Sequence, residues 1–272
     1  MATPTIWITG GGTGIGKALA LEYTKRGYRV AISGRRQERL DETKIQIEEM
    51  GGNCLTLLCD VVDVDSIQKA LTDIETQWGQ LDIVVANAGF SMNARLETLT
   101  FDDWRRQLDV NVIGLAQTIR YALPYLEKTQ GRVVLISSVM AYMRYEKSGA
   151  YSASKAAVTA IGETLSLELL GTPITSTVIH PGYVESEIGQ VQVDGTFDPA
   201  AKDRRPSKML WPADKAACVM ADAIERRKRI YTFTAHGIFA QFMCRHFPNL
   251  TFWVTGWNMR NRKRNINISR AS

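Results

Sequence analysis

The stretch TIWITGGGTGIG, residues 5–16, decides the fold class. A short apolar run containing β-branched side chains ends at Thr9, a glycine-dense turn follows, and KALALEYTKRG then carries a helical pattern. Strand, glycine turn and helix in that order make a phosphate cradle. Gly10, Gly14 and Gly16, with Thr13 and Ile15 between them, let the backbone turn tightly and approach a pyrophosphate, whose charge the helix N-terminus stabilises. An isolated glycine turn is weak evidence; the strand before it and the helix after it give this one its weight.

Outward from that unit the pattern repeats. RVAIS, CLTLLC, LDIVVA, RVVLIS, ITSTVI and RIYTF read as strands, and helical segments separate them, among them QERLDETKIQIEEM, SIQKALTDIETQWG, a long segment from about Phe101 to Glu127, and DKAACVMADAIERRK. Apolar strands alternating with helices predict a doubly wound α/β fold, a parallel sheet of about seven strands covered on both faces. Ligands of such sheets bind beyond the carboxyl ends of the strands. At 272 residues, with 45% hydrophobic and 22% charged side chains, the chain suits one large domain. Residues 1–234 are expected to form it, with residues 235–272 as a helical extension.

Cys54, Cys59, Cys218 and Cys244 form no CxxC pair and have no metal-ligand spacing, so reduced thiols, a cytoplasmic setting and no metal are expected. With the first strand beginning at Thr5, no signal peptide is expected. No run approaches the ~18 apolar residues of a membrane span. The net charge of +5 conceals an asymmetry: from Arg226 onward there are ten Lys and Arg and no carboxylate, leaving residues 1–225 with 23 basic against 28 acidic side chains, a net of −5.

The second strand ends in AISGRRQ. A cofactor with a free ribose 2′-hydroxyl usually meets an acidic residue here; this chain has Ser33, Gly34, Arg35 and Arg36. Two arginines suit a 2′-phosphate and favour NADP(H) over NAD(H), with Arg35 the better placed; a solvated basic turn is the plainer reading. Cys59–Asp60–Val61 ends the third strand. There Asp60 either accepts from an adenine amino group or caps the following helix.

In GAYSASKAAV, residues 149–158, Tyr151 and Lys155 are four apart and share a helix face. A lysine charge beside a phenol lowers the phenol's pKa, making Tyr151 a candidate proton donor or acceptor. An ordinary surface pair is the alternative from these residues alone.

With the glycine loop, Asn87–Ala88–Gly89, Asn111, Ser138 and the Tyr-x-x-x-Lys pair in this order, residues 4–233 resemble the short-chain dehydrogenase/reductase family, a Rossmann-type fold. The resemblance implies that Tyr151 protonates a carbonyl oxygen as hydride arrives. It implies that Lys155 lowers the tyrosine pKa and bonds the nicotinamide ribose, that Ser138 holds the substrate oxygen, and that Asn111 keeps its helix kinked and anchors a water leading to Lys155. Ser137 would point elsewhere, as strand neighbours do. HPGYVES resembles the family's turn beside the nicotinamide, with Pro181, Gly182 and Val184 along it and Ser186 where threonine is common. A homodimer or homotetramer paired through the Asn111 and Tyr151 helices is also implied. His180 invites a Ser–His nucleophilic reading with Ser138; a packed histidine at the end of a buried strand is favoured.

The irregular stretch Glu187–Trp211 is expected to close over substrate. Phe90, Met92, Met140, Tyr142, Met143, Tyr145 and Tyr183 suggest a pocket for a lipophilic ketone or aldehyde, or else core and subunit contacts. In the tail, Ile238, Phe239, Phe242 and Met243 fall at helical spacing, Pro248 interrupts, and Leu250, Phe252, Trp253, Trp257 and Met259 continue. Its readings are a membrane-surface anchor, favoured; a contact with a partner subunit; and nucleic-acid contact through Arg260–Arg264, not expected without a recognised module. The activity expected is NADPH-dependent reduction of a ketone or aldehyde. The rivals are a 3-oxoacyl reductase of lipid synthesis and a non-catalytic NADP-sensing module, against which the intact Asn111, Ser138, Tyr151 and Lys155 argue.

Overall fold

The computed structural model describes residues 3–190, 196–198, 200 and 205–271, apart from the side chains of Lys208, Asn258 and residues 261–271. Its described residues form one seven-stranded sheet: β1 (Thr5–Thr9), β2 (Arg29–Gly34), β3 (Cys54–Leu58), β4 (Ile83–Ala86), β5 (Arg132–Ile136), β6 (Thr175–His180) and β7 (Ile230–Thr232). The order is β3-β2-β1-β4-β5-β6-β7, and every pairing is parallel.

Helices cover both faces because the strands are apolar on both. In β1 all five residues are buried: Ile6 and Ile8 face one layer and Trp7 the other. The first layer is α1 (Gly14–Lys25), α2 (Gln37–Glu49) and α7 (Ala213–Glu225), whose Leu19, Leu40, Ile47 and Met220 share a core with Ile6 and Ile8. The second is α3 (Val64–Trp78), α5 (Leu115–Thr129) and α6 (Gly149–Glu168), contributing Leu71, Ile119 and Val158 around Trp7. The chain leaves β1 toward β2 and β3 on one side and returns to β4 on the other, so the strand order reverses at β1. Diverging loops at such a reversal open a crevice beyond the strand ends.

The long segment in which a kink is expected at Asn111 has three parts. A capping box between Thr100 and Asp103 starts α4 (Phe101–Leu108); Asp109–Gly114 then winds as a π-helix before α5 begins. Beyond β7 lie α8 (Ala235–His246) and α9 (Pro248–Ala271). Pro248 stands at the first turn of α9, where a missing N–H leaves no bond unmade. Among the described residues no helix is long and apolar enough to cross a membrane.

Candidate active site

Beyond the carboxyl ends of the strands lies a cleft of about 1010 Å³. The glycine loop forms its floor. Gly10 and Gly14 have φ of +65° and +52°, which only glycine adopts readily. A Cβ on Gly14 would stand 2.9 Å from the Ser186 Cβ, and one on Gly16 would collide with the Gly10 carbonyl oxygen. Gly16 therefore supports the loop from behind and does not line the cleft. The Thr9 hydroxyl accepts from the amides of Asn87 and Ala88, each at 3.0 Å, and the Asn87 side chain donates to the Thr9 carbonyl at 2.8 Å. These bonds fix the Asn87–Gly89 turn to the loop. Thr13, which precedes α1, makes no side-chain bond to the helix's first-turn amides, whereas Asp63 and Thr100 do so for α3 and α4. The open N–H groups suit an anion.

The far end of the cleft holds three arginines, Arg35, Arg36 and Arg39, set among the carboxylates Glu38, Glu42, Asp60 and Glu187. Arg35 is 60% exposed with Asp60 at 3.9 Å. Arg36 pairs with Glu187 at 2.9 Å and lies over the Phe197 ring at 5.5 Å. Arg39 also reaches Glu187, at 3.4 Å. Arg39 and Glu187 line the cleft and were not legible as site residues; Arg39 lay one helical turn beyond Arg35, a spacing that could have flagged it. Asp60 does not cap α3. That cap is Asp63, which accepts from the Asp65 amide at 3.0 Å, while Asp60 accepts from the Val62 amide and faces the cleft beside Val61.

At the opposite end Ser138, Tyr151 and Lys155 converge on the cleft wall. Ser138 follows β5 and its hydroxyl accepts from the Met140 amide at 3.1 Å, whereas the Ser137 hydroxyl turns into α6 and bonds the Lys155 carbonyl at 2.9 Å. Lys155 is 4% exposed, and its ammonium donates to the Ile136 carbonyl at 2.8 Å. Desolvation pushes its pKa down to about 8. Burial raises the Tyr151 hydroxyl above its ordinary value, while the Ser138 hydroxyl and the Arg205 charge pull the other way. Lys155 sits over the Tyr151 ring, 5.8 Å from its centre. The Tyr151 pKa is thus raised where Lys155 was expected to lower it. The ammonium is spent on a carbonyl, and the desolvation of the phenol dominates.

Asn111 does not line the cleft; it is buried behind it in the π-helical turn. Its side chain accepts from the Phe90 amide at 3.0 Å and donates to the Phe90 carbonyl at 2.9 Å and the Ser154 hydroxyl at 3.0 Å. A π-turn frees helix backbone and aims a side chain off the regular path, and here it joins the Gly89–Phe90 turn to α6.

Pro181, Gly182, Val184 and Ser186 form the remaining wall. Arg205, outside the sequence reading, clasps it through the Val184 and Ser186 carbonyls, each at 2.7 Å. His180 takes no part in a nucleophilic pair: it is buried, its Nε2 lies 3.0 Å from the Thr159 hydroxyl, and its ring packs on Tyr142. Of the residues expected around a substrate, Phe90 lines the cleft, Met92 is core, Tyr145 is exposed and Tyr183 stacks on His236. Much of the expected covering stretch, residues 191–195, 199 and 201–204, lies outside the described residues. Among the described residues no group of three or more His, Cys, Asp or Glu is placed to hold a metal ion.

A dinucleotide fits these residues: positive-φ glycines with no room for a Cβ, uncapped helix amides, and a cleft at the upper end of the ~300–1,000 Å³ of ligand pockets. The family model of the short chain dehydrogenases matches residues 4–195. The chain belongs to that family. The short-chain dehydrogenase is 38% identical over 189 residues to an 11-beta-hydroxysteroid dehydrogenase 1A of Arabidopsis thaliana, covering 68% of this chain and 53% of that protein. It thus spans about half the length of that relative. It is 31% identical over 212 residues to an NADP-dependent 3-hydroxy acid dehydrogenase of Salmonella typhi, covering 77% of this chain and 84% of the other. A 3-ketoacyl-ACP reductase structure from Sinorhizobium meliloti superimposes with a TM-score of 0.75 at 29% identity, over 87% of this chain and all of that one.

Proposed function

We propose that this short-chain dehydrogenase reduces a lipophilic ketone or aldehyde to an alcohol with NADPH. One observation carries the reading: Ser138, Tyr151 and Lys155 meet at one end of a single cleft whose other end holds Arg35, Arg36 and Arg39. When bound, NADPH supplies the hydride. Gly10, Thr13, Gly14 and Ile15 would hold the pyrophosphate, Arg35 and Arg36 the 2′-phosphate, Asp60 and Val61 the adenine, and Asn87–Gly89 with Pro181–Ser186 the nicotinamide half. Ser138 binds the carbonyl oxygen, and Tyr151 gives that oxygen its proton. The raised tyrosine pKa keeps the phenol protonated and ready to donate. Lys155 stands one helical turn away to stabilise the phenolate left behind, and Asn111 holds the Phe90 backbone and α6 in register for the transfer. The NADP-dependent 3-hydroxy acid dehydrogenase relative supports the cofactor, and the 3-ketoacyl-ACP reductase structure supports carbonyl reduction with an acyl substrate as the closest rival. In this reading the protein is cytoplasmic and peripheral to a membrane, and assembles as a homodimer or homotetramer.

The test is loss of NADPH absorbance with carbonyls from short polar to steroid-sized and long-acyl, beside Tyr151→Phe. The wild type should turn over and the variant fall by about 10²–10⁴-fold, the range of general acid catalysis. Equal turnover by both would remove Tyr151 from the reaction.

A further inference from the structure

The start of the tail packs behind the Ser138 end of the cleft, against Val139, Gly182 and Tyr183. Gly237 in the first turn of α8 packs so closely on the turn after Ser138 that a Cβ there would stand 3.0 Å from the Val139 Cγ1. A Cβ on Gly182 would stand 2.7 Å from the His236 Nε2, and Tyr183 stacks on the His236 ring at 5.7 Å. Thr234 joins β7 to α8 with φ of +73°, a conformation a β-branched residue keeps only where its surroundings impose it. Its hydroxyl accepts from the Gly237 amide at 3.1 Å, capping the helix.

From that junction outward the helices carry largely exposed apolar side chains, with Phe242 packed on the rings of His246 and Phe247. Ile238, Phe239 and Phe242 on α8, Phe247 at the joint, and Leu250, Phe252, Trp253, Val254 and Trp257 on α9 are each 42–81% exposed, Phe252 the most. Six exposed aromatic side chains on two adjoining helices and the joint between them, Phe239, Phe242, Phe247, Phe252, Trp253 and Trp257, are more large apolar groups than scattered surface residues account for, and such exposure marks an interaction site. Arg245 and Arg260 are exposed beside it, and the sequence adds Arg262, Lys263, Arg264 and Arg270 with no carboxylate from Arg226 onward.

We infer that α8 and α9 form a docking surface for an anionic lipid bilayer, which sets the substrate end of the cleft against the membrane. The charge distribution selects this occupant. A second copy meeting the patch by two-fold symmetry would bring two acid-free basic tails together, and like charges repel. An anionic headgroup layer attracts them, tryptophan sits at its interface, and phenylalanine and leucine bury just below it. No described helix spans a membrane, so these helices lie along it. That a lipophilic carbonyl enters from the bilayer rests on the proposed reductase activity; the docking does not.

The full chain is sedimented with vesicles of phosphatidylcholine alone and with phosphatidylserine added, beside Phe252→Asp/Trp253→Asp. Both positions are exposed, so the variant should keep its NADPH affinity and its thermal unfolding. The wild type should pellet with the serine-containing vesicles and release in about 1 M salt, where the Debye length is ~3 Å. The double variant should partition at least tenfold more weakly. The inference is overturned if the wild type stays in solution, if it pellets equally with both vesicles, or if the variant pellets like the wild type. It is also overturned if the variant's only change is a smaller mass in light scattering, which would make the patch a contact between copies. Each of these outcomes is read without turnover, so it fails separately from the carbonyl-reduction test.

Discussion

Lys155→Met should stabilise the fold near neutral pH while abolishing activity, and the stabilisation should vanish in alkali. Methionine fills a similar volume without a charge, so packing is largely kept. The lysine is buried and its folded-state pKa is about 8, against 10.5 for an ordinary lysine. The folded state therefore disfavours the ammonium, and the unfolded chain holds its proton to higher pH. Wild-type stability is penalised in full below pH 8, recovers as pH rises, and carries no penalty above pH 10.5. At about 1.4 kcal/mol per pKa unit, the penalty is about 3 kcal/mol. Against it stands the bond to the Ile136 carbonyl, whose loss removes about 1–3 kcal/mol at every pH. The net gain below pH 8 is then about 0–2 kcal/mol, at most roughly 4–8 °C in Tm for a domain near this size. Thermal unfolding by circular dichroism, without cofactor, at several pH values from 8 to 10.5 reads the gap between variant and wild type directly. A gap that neither shrinks nor changes sign toward pH 10.5 would mean that the buried lysine carries no desolvation penalty. The proposed chemistry gives the penalty a purpose: a lysine forced into the protein interior is held where a phenolate and a ribose need it, at the expense of stability.

Cofactor selection is testable at the arginines. Arg35→Ala should weaken NADPH binding about two- to fivefold by fluorescence titration, a modest effect because the side chain is 60% exposed, and leave NADH unchanged; equal losses would sink the 2′-phosphate assignment. Glu187→Gln removes the carboxylate that Arg36 and Arg39 share, so it should tighten NADPH several-fold and NADH not at all; weaker NADPH binding would mean that Glu187 positions the arginines and does not compete with the phosphate. Burial pushes His180 from 6.5 down to about 4. The neutral ring's contribution is complete above pH 6.5 and is lost as pH falls toward 4. His180→Gln should flatten that part of the stability curve, measured as Tm against pH, and an unchanged acid limb would remove the histidine from it.

The chain declared its fold through local patterns. Alternation of two-sided apolar strands with helices needs only neighbouring residues to be legible, and it specified the parallel sheet; the glycine turn after β1 located its ligand crevice because Gly10 and Gly14 need backbone angles that other residues resist. Tyr151 and Lys155 could be paired because four-residue spacing puts them on one helix face, whereas Ser138 was named through the resemblance to the short-chain dehydrogenase/reductase family. Distance along the chain limited the rest. Arg36 and Glu187 are 151 residues apart, and nothing near either one announces the other. Asp60 and Asp63 are equally good caps as sequence; only the start of α3 decides for Asp63. The direction of the Tyr151 pKa followed from burial and from the carbonyl that engages Lys155, neither of which a four-residue spacing contains. The tail's composition marked it as unlike the body, but its packing through His236 and Gly237 on Gly182, Tyr183 and Val139, behind the Ser138 end of the cleft, exists only in the folded chain. Periodicity along the chain determined the elements and the strand ends; the partners those ends acquire, and the solvent they lose, were decided by folding, because solvation and long-range pairing are properties of the closed molecule.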